Sequence, residues 1–130
     1  MTKEEKDKIN GYVAELVKDY NSDSYVRSGL DNEMCDYIDS LCGKYGWEIE
    51  ADDTHRWVGS DGWYEVQFML YTGNGSVYIN TKSGDQDLED EWSDSNPQTV
   101  SSIRDCYLES AWDWRYFLGG LLEFFDKNNG

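Results

Sequence analysis

One histidine, His55, and three cysteines, Cys35, Cys42 and Cys106, are the side chains best suited to nucleophile–base chemistry. No serine, threonine or cysteine stands in a nucleophile elbow or another catalytic motif. His55 closes the stretch Asp52-Asp53-Thr54-His55 and reads as an exposed turn residue. Cys35 and Cys42 share one face of a predicted helix, but the three cysteines lack metal-ligand spacing. They read as small buried hydrophobes in a reducing compartment. Thr72-Gly73-Asn74-Gly75 has the glycines of a phosphate loop, and a hairpin turn explains them better. Asp85, Asp87 and Glu89 match the first, third and fifth positions of a calcium loop. Asp90 and Asn96 then stand where that loop needs glycine and a bidentate glutamate. No catalytic residue, metal ligand or cofactor is assigned. A glycosidase-type carboxylate pair is defined by its separation in space, so the sequence leaves an enzyme reading open as a lesser alternative.

The carboxylates carry the stronger signal. Against 11 Lys and Arg stand 27 Asp and Glu, a formal net charge of -16 over 130 residues. Asp85, Asp87, Glu89, Asp90, Glu91 and Asp94 crowd residues 85–94, and Glu48, Glu50, Asp52 and Asp53 crowd residues 48–53. In an extended chain alternate residues lie ~6.6–6.8 Å apart on one face. Asp85, Asp87, Glu89 and Glu91 would then form one row of carboxylates, and Glu48, Glu50 and Asp52 another. Each row approximates the rise of two phosphates along a DNA strand, ~3.4 Å apiece. Trp92, inside the first run, reads as a hydrophobic anchor with a charged rim. These eleven residues are the candidate partner-binding site.

The sign of the charge excludes some partners. Nucleic acid and anionic membranes are bound through Lys and Arg, so direct binding to either is disfavoured and a basic protein partner fits. Ten Tyr, six Trp and four Phe separate the chain from disordered acidic tails, which are poor in aromatics. The chain reads as one folded acidic domain, 1–130. No run is long and apolar enough for a membrane span, and Met1-Thr2-Lys3-Glu4-Glu5-Lys6 lacks a signal-peptide pattern. The expected location is a bacterial host cytoplasm.

The elements that must position these residues are legible from periodicity. Thr2 and Glu5 form a capping box, and Ile9, Tyr12, Val13, Leu16, Val17 and Tyr20 predict a helix from about Lys3 to Tyr20. Leu30, Met34, Tyr37, Ile38, Leu41 and Tyr45 predict a second from about Leu30 to Lys44, with Gly43 and Gly46 as stop signals. After Gly46 the period changes to two. Trp47–Glu50 and Arg56–Val58 read as short strands, and residues 63–82 as a hairpin turning at Gly73-Asn74-Gly75. Tyr64, Val66, Phe68 and Leu70 share one face of it, with Glu65 and Gln67 on the other. Residues 83–97 read as an acidic loop or frayed edge strand. A final helix is expected from Pro97 or Gln98, with Val100, Ile103, Tyr107, Ala111, Trp114, Leu118, Leu121 and Phe125 as its stripe. Gly119-Gly120 would bend or split it. Trp112, Trp114, Tyr116 and Phe117 at its middle read as core rather than a stacking platform. The apolar run Leu121–Phe125 must pack on the sheet or on another subunit, a monomer being narrowly favoured over a homodimer. The fold class is α+β: two N-terminal helices, a three- to four-stranded antiparallel meander and a C-terminal helix.

In overall character, acidic, small, aromatic and without catalytic residues, the chain resembles the phage-encoded anti-defence proteins, the anti-restriction DNA mimics and anti-CRISPR proteins. The resemblance covers the whole chain and rests on no diagnostic motif. It implies a non-enzymatic inhibitor that occupies the basic nucleic-acid-binding groove of a nuclease effector. The PAM-reading arginines of a Cas9-type protein are one such target. The alternative is a bacterial immunity protein that neutralises a basic toxin.

Overall fold

Thr2 and Glu5 start the first helix as their spacing predicts. The Glu5 amide donates to Thr2 Oγ1 at 3.2 Å, and the Thr2 amide donates back to Glu5 Oε1 at 2.7 Å. The computed structural model describes residues 1–19, 26, 28–56, 64–83, 99–106, 108 and 110–128. Among these, helix α1 spans Lys3–Asp19 and α2 spans Ser28–Tyr45. Gly46, at φ 69°, ends α2, and the Trp47 amide donates to the Cys42 carbonyl at 3.0 Å. That bond is the long closure of a left-handed glycine cap. Gly43 stays inside the helix.

Three nine-residue strands follow: β1 Glu48–Arg56, β2 Tyr64–Thr72 and β3 Gly75–Ser83. A two-residue β4, Thr99–Val100, pairs with the other side of β1, so the antiparallel order is β3-β2-β1-β4. The α+β class and the antiparallel meander stand as read from the sequence. The turn is also where it was expected: Thr72 Oγ1 donates to the Gly75 carbonyl at 3.0 Å and accepts from the Asn74 amide at 3.1 Å. Gly75 lies at φ 146°, and a Cβ there would meet Phe124 Cε2 at 3.0 Å. Both the backbone and the ring require glycine at this position.

Two expectations are corrected. Asp52-Asp53-Thr54-His55 is not a turn but part of β1, with His55 opposite Glu65. Pairing with β2 along nearly its whole length holds β1 extended despite residues of low strand propensity. The final helix does not begin at Pro97 or Gln98. Val100 is in β4, Ile103–Cys106 is a 3-10 turn, and α3 runs unbroken through Gly119-Gly120 from Ala111 to Asn128. Ser110 caps it, accepting from the Asp113 amide at 3.1 Å. Even so, Val100, Ile103, Ala111, Trp114, Leu118, Leu121 and Phe125 are all buried, while Tyr107 of the same predicted stripe lies outside the described residues. Their apolar period reports burial correctly across three different backbone conformations.

One hydrophobic cluster joins the three described helices to one sheet face. Ile49, Phe68, Leu70, Val77, Ile79 and Val100 meet Ile9, Leu16, Leu30, Met34, Ile38, Trp114, Phe117 and Leu121 there. The apolar last turns of α3 pack within the chain. Phe125 stacks on Trp47 at 5.2 Å, and Phe124 meets Phe125 edge-on at 5.1 Å.

Candidate functional site

Asp85, Asp87, Glu89, Asp90, Glu91, Trp92 and Asp94 lie outside the described residues, as does the calcium-loop match built on them. The second acidic group, Glu48, Glu50, Asp52 and Asp53, falls on β1. There the predicted row is corrected. The register slips between Ala51 and Asp53, with Ala51 opposite Phe68 and Asp53 opposite Gln67. Asp52 is the extra residue of a β-bulge, which resets the alternation by one. Glu48 and Glu50 stand opposite Tyr71 and Met69, so Asp53 and not Asp52 continues their register face.

Glu48 is exposed and Glu50 half-buried. Neither has a hydrogen-bond or ion-pair partner among the described residues. Several acids elsewhere are committed to the fold. Asp39 on α2 accepts from Ser102 Oγ at 2.7 Å and from the Ile103 amide at 2.9 Å. Asp31 Oδ1 accepts from the Trp114 indole at 3.2 Å. Tyr12 Oη donates to Glu33 Oε1 at 3.3 Å, and burial together with that carboxylate pushes the Tyr12 phenol up to about 12. Glu5 is buried between the helix termini, where Lys44 Nζ and Tyr45 Oη donate to it at 2.9 and 2.5 Å. Burial raises its pKa, but the hydrogen bonds from Thr2, Tyr45 and Lys44 outweigh it and hold the carboxyl down at about 2.

Several of the scarce cations are committed too. Lys6 bridges to Asp126, Lys44 to Glu5, Arg104 to Asp36 and Lys127 to Glu123. Arg104 Nη1 also donates to Asn32 Oδ1 at 2.7 Å. Lys8 Nζ sits 4.6 Å from the centre of the Tyr37 ring. While these positive groups are engaged elsewhere, Glu48 and Glu50 have no cationic partner among the described residues.

Exposed aromatics adjoin them. Across the sheet, Glu48 is followed by Tyr71 and Ser76, and Glu50 by Met69 and Tyr78. Strand spacing puts β1 and β3 about 10 Å apart. Tyr71 and Tyr78 are exposed while Met69 between the two rows is buried. Beyond Tyr78 lies a groove of about 430 Å³ between β3 and α3, lined by Tyr78, Val77, Tyr116, Gly120, Glu123 and Phe124 among others. Trp112 stacks on Tyr116 at 5.2 Å, and the two are 44% and 45% exposed. The reading of all four central aromatics of α3 as core therefore holds for Trp114 and Phe117, both 0% exposed, and fails for Trp112 and Tyr116. Both exposed rings lie off the stripe of Ala111, Trp114, Leu118, Leu121 and Phe125, one helical turn apart. Tyr78 likewise alternates against Val77 and Ile79. The signal was present in the periodicity.

The cysteines form no disulfide among themselves; Cys35 and Cys106 are buried and Cys42 is half-buried. Burial pushes the Cys35 thiol up to about 12 and Cys42 up to about 11, so neither is a ready nucleophile. Among the described residues no group of three or more His, Cys, Asp or Glu is arranged to hold a metal ion. No helix among them is long and apolar enough to cross a membrane. Compared with protein-family models, curated proteins and solved structures, the chain matches none.

Proposed function

We propose that this chain is a non-enzymatic protein inhibitor, a DNA mimic of the anti-CRISPR or anti-restriction kind. It would block the basic nucleic-acid-binding groove of a nuclease effector in a bacterial cytoplasm. The observation that carries this reading is the division of charge. Lys6, Lys44, Arg104 and Lys127 are tied to carboxylates, while Glu48 and Glu50, on the sheet face that also carries the exposed Tyr71 and Tyr78, have no partner among the described residues. Outward carboxylates steer a basic partner and raise the on-rate at low salt. The aromatic rings supply surface that is desolvated on contact.

The test is capture of partners from bacterial lysate with the tagged chain, at low and high salt, with and without competing duplex DNA. The expected result is a nuclease effector that DNA or salt releases. A salt-resistant complex with one toxin-like protein that DNA does not displace would replace this reading with an immunity protein. Capture of nothing would end the binding reading and turn attention to an enzyme. Once the partner is in hand, neutralising Asp85, Asp87, Glu89, Asp90, Glu91 and Asp94 together should weaken binding at least ~tenfold, ~1.4 kcal/mol. Unchanged affinity would shift the contact to Glu48, Glu50, Asp52 and Asp53.

A further inference from the structure

β3 pairs with β2 along its full length and, among the described residues, with no strand on its other side. Half of the backbone donors and acceptors of such a strand point away from the sheet, a template for one more strand. α3 runs beside that edge and the groove lies between the two. Gly120 keeps its wall low: a Cβ there would lie 3.6 Å from Val77 Cγ1. At the upper end of the groove stands the Trp112–Tyr116 stack, and at the lower end the exposed Glu123–Lys127 pair, 2.9 Å apart. An extended peptide needs three things: a strand edge, here unpaired among the described residues, a trough for alternate side chains, and anchors at its ends.

The charge of the molecule selects the occupant. A second copy would add a molecule that is itself at net charge -16, and a nucleic acid would bring phosphates toward a chain of the same sign. A cationic segment is complementary. Arg suits the site better than Lys, because a guanidinium plane lies flat on an aromatic face and reaches a carboxylate with two donors. An exposed i,i+4 ion pair is weak, so an incoming Arg can displace Lys127 from Glu123.

We propose that the groove between β3 and α3 receives an extended, arginine-bearing segment of a partner protein, which adds to the edge of β3 and rests a guanidinium on Trp112 and Tyr116. This deepens the inhibitor reading, resting on it only for the partner being a protein.

The test titrates the full isotope-labelled chain with the peptide Arg-Val-Arg-Val-Arg-Val at low salt, followed by NMR. The largest shifts are expected at the Trp112 indole and the amides of β3. Trp112→Ala and Tyr116→Ala should each weaken binding by about fivefold, the loss of one cation–π contact. Glu123→Gln should weaken it, Lys127→Ala should strengthen it, and the Lys-for-Arg peptide should bind less tightly. Thermal melts show that each variant is folded, which is expected because the substituted side chains are exposed. Shifts spread evenly over the acidic surface, or confined to β1, would overturn the proposal, as would affinity indifferent to Trp112→Ala and Tyr116→Ala. The two readings fail separately. A captured nuclease released by DNA but unaffected by Trp112→Ala sinks the groove and leaves the mimic, whereas peptide seated on β3 with no nuclease captured does the reverse.

Discussion

On α2, Asp39 holds the Ser102 hydroxyl and the Ile103 amide, and Asp31 holds the Trp114 indole. On β1, Glu48 and Glu50 hold nothing among the described residues and face away from the core. The same contrast separates Trp114, fully buried, from Trp112, two residues earlier on the same helix and 44% exposed. Asp31, Asp39 and Trp114, all on helices, fix the fold. On the sheet and along the β3–α3 groove, residues of the same types are left to the surroundings. A net charge of -16 therefore overstates the uniformity of the coat, because part of it is structural and cannot be neutralised without loosening the helices.

The tryptophans give the largest expected contrast. Trp114→Ala removes a buried ring and takes the indole donor from Asp31 Oδ1, leaving it the long contact from Cys35 Sγ, which should lower unfolding free energy by about 3–5 kcal/mol. Trp112→Ala should stay within about 0.5 kcal/mol. Equal losses in urea melts would erase the distinction between the two faces of α3. Glu5 comes next. Its folded pKa, about 2, lies below the ordinary 4.5, so its stabilisation is complete above about pH 4.5 and is lost as pH falls toward 2. The stability gap between the native chain and Glu5→Gln should shrink over that window by on the order of 3 kcal/mol. A gap independent of pH would show that Glu5 is not held as the charged form. The third contrast sets Asp39→Ala, expected to cost about 1–3 kcal/mol, against the double variant Glu48→Gln/Glu50→Gln. The double variant should change stability by no more than about 0.5 kcal/mol, in the stabilising direction because repulsion falls. A large loss on β1 would mean that its acids are structural after all.

The helices and the hairpin were legible in the sequence because their signals are local. Thr2 and Glu5 sit one turn apart, the apolar residues of α1 and α2 keep a helical period, and Gly73-Asn74 lies between two alternating runs. The middle of β1 was not legible. Asp52-Asp53 has turn chemistry, and only pairing with distant β2 makes it a strand. The start of α3 was missed because Asp39, far away in sequence, takes the Ile103 amide that a continuous helix would have used. For the site, the acids of residues 48–53 were visible but their facing was not, since the bulge at Asp52 is invisible without the partner strand. The groove was missed because it joins β3 to α3, and no local pattern records that meeting.

The Asp39 contact also has a kinetic meaning. It joins positions 63 apart in the chain, a loop whose closure alone is entropically unfavourable. Once the three long strands have zipped and Ile49 lies against Val100, the same contact spans only the short arms from Asp39 to Ile49 and from Val100 to Ser102. The sheet thus acts as a splint that brings the latch to its catch, and the latch closes late. Asp39→Ala should then accelerate unfolding while leaving the folding rate nearly unchanged. What the carboxylate governs is how long the native state persists once it has formed.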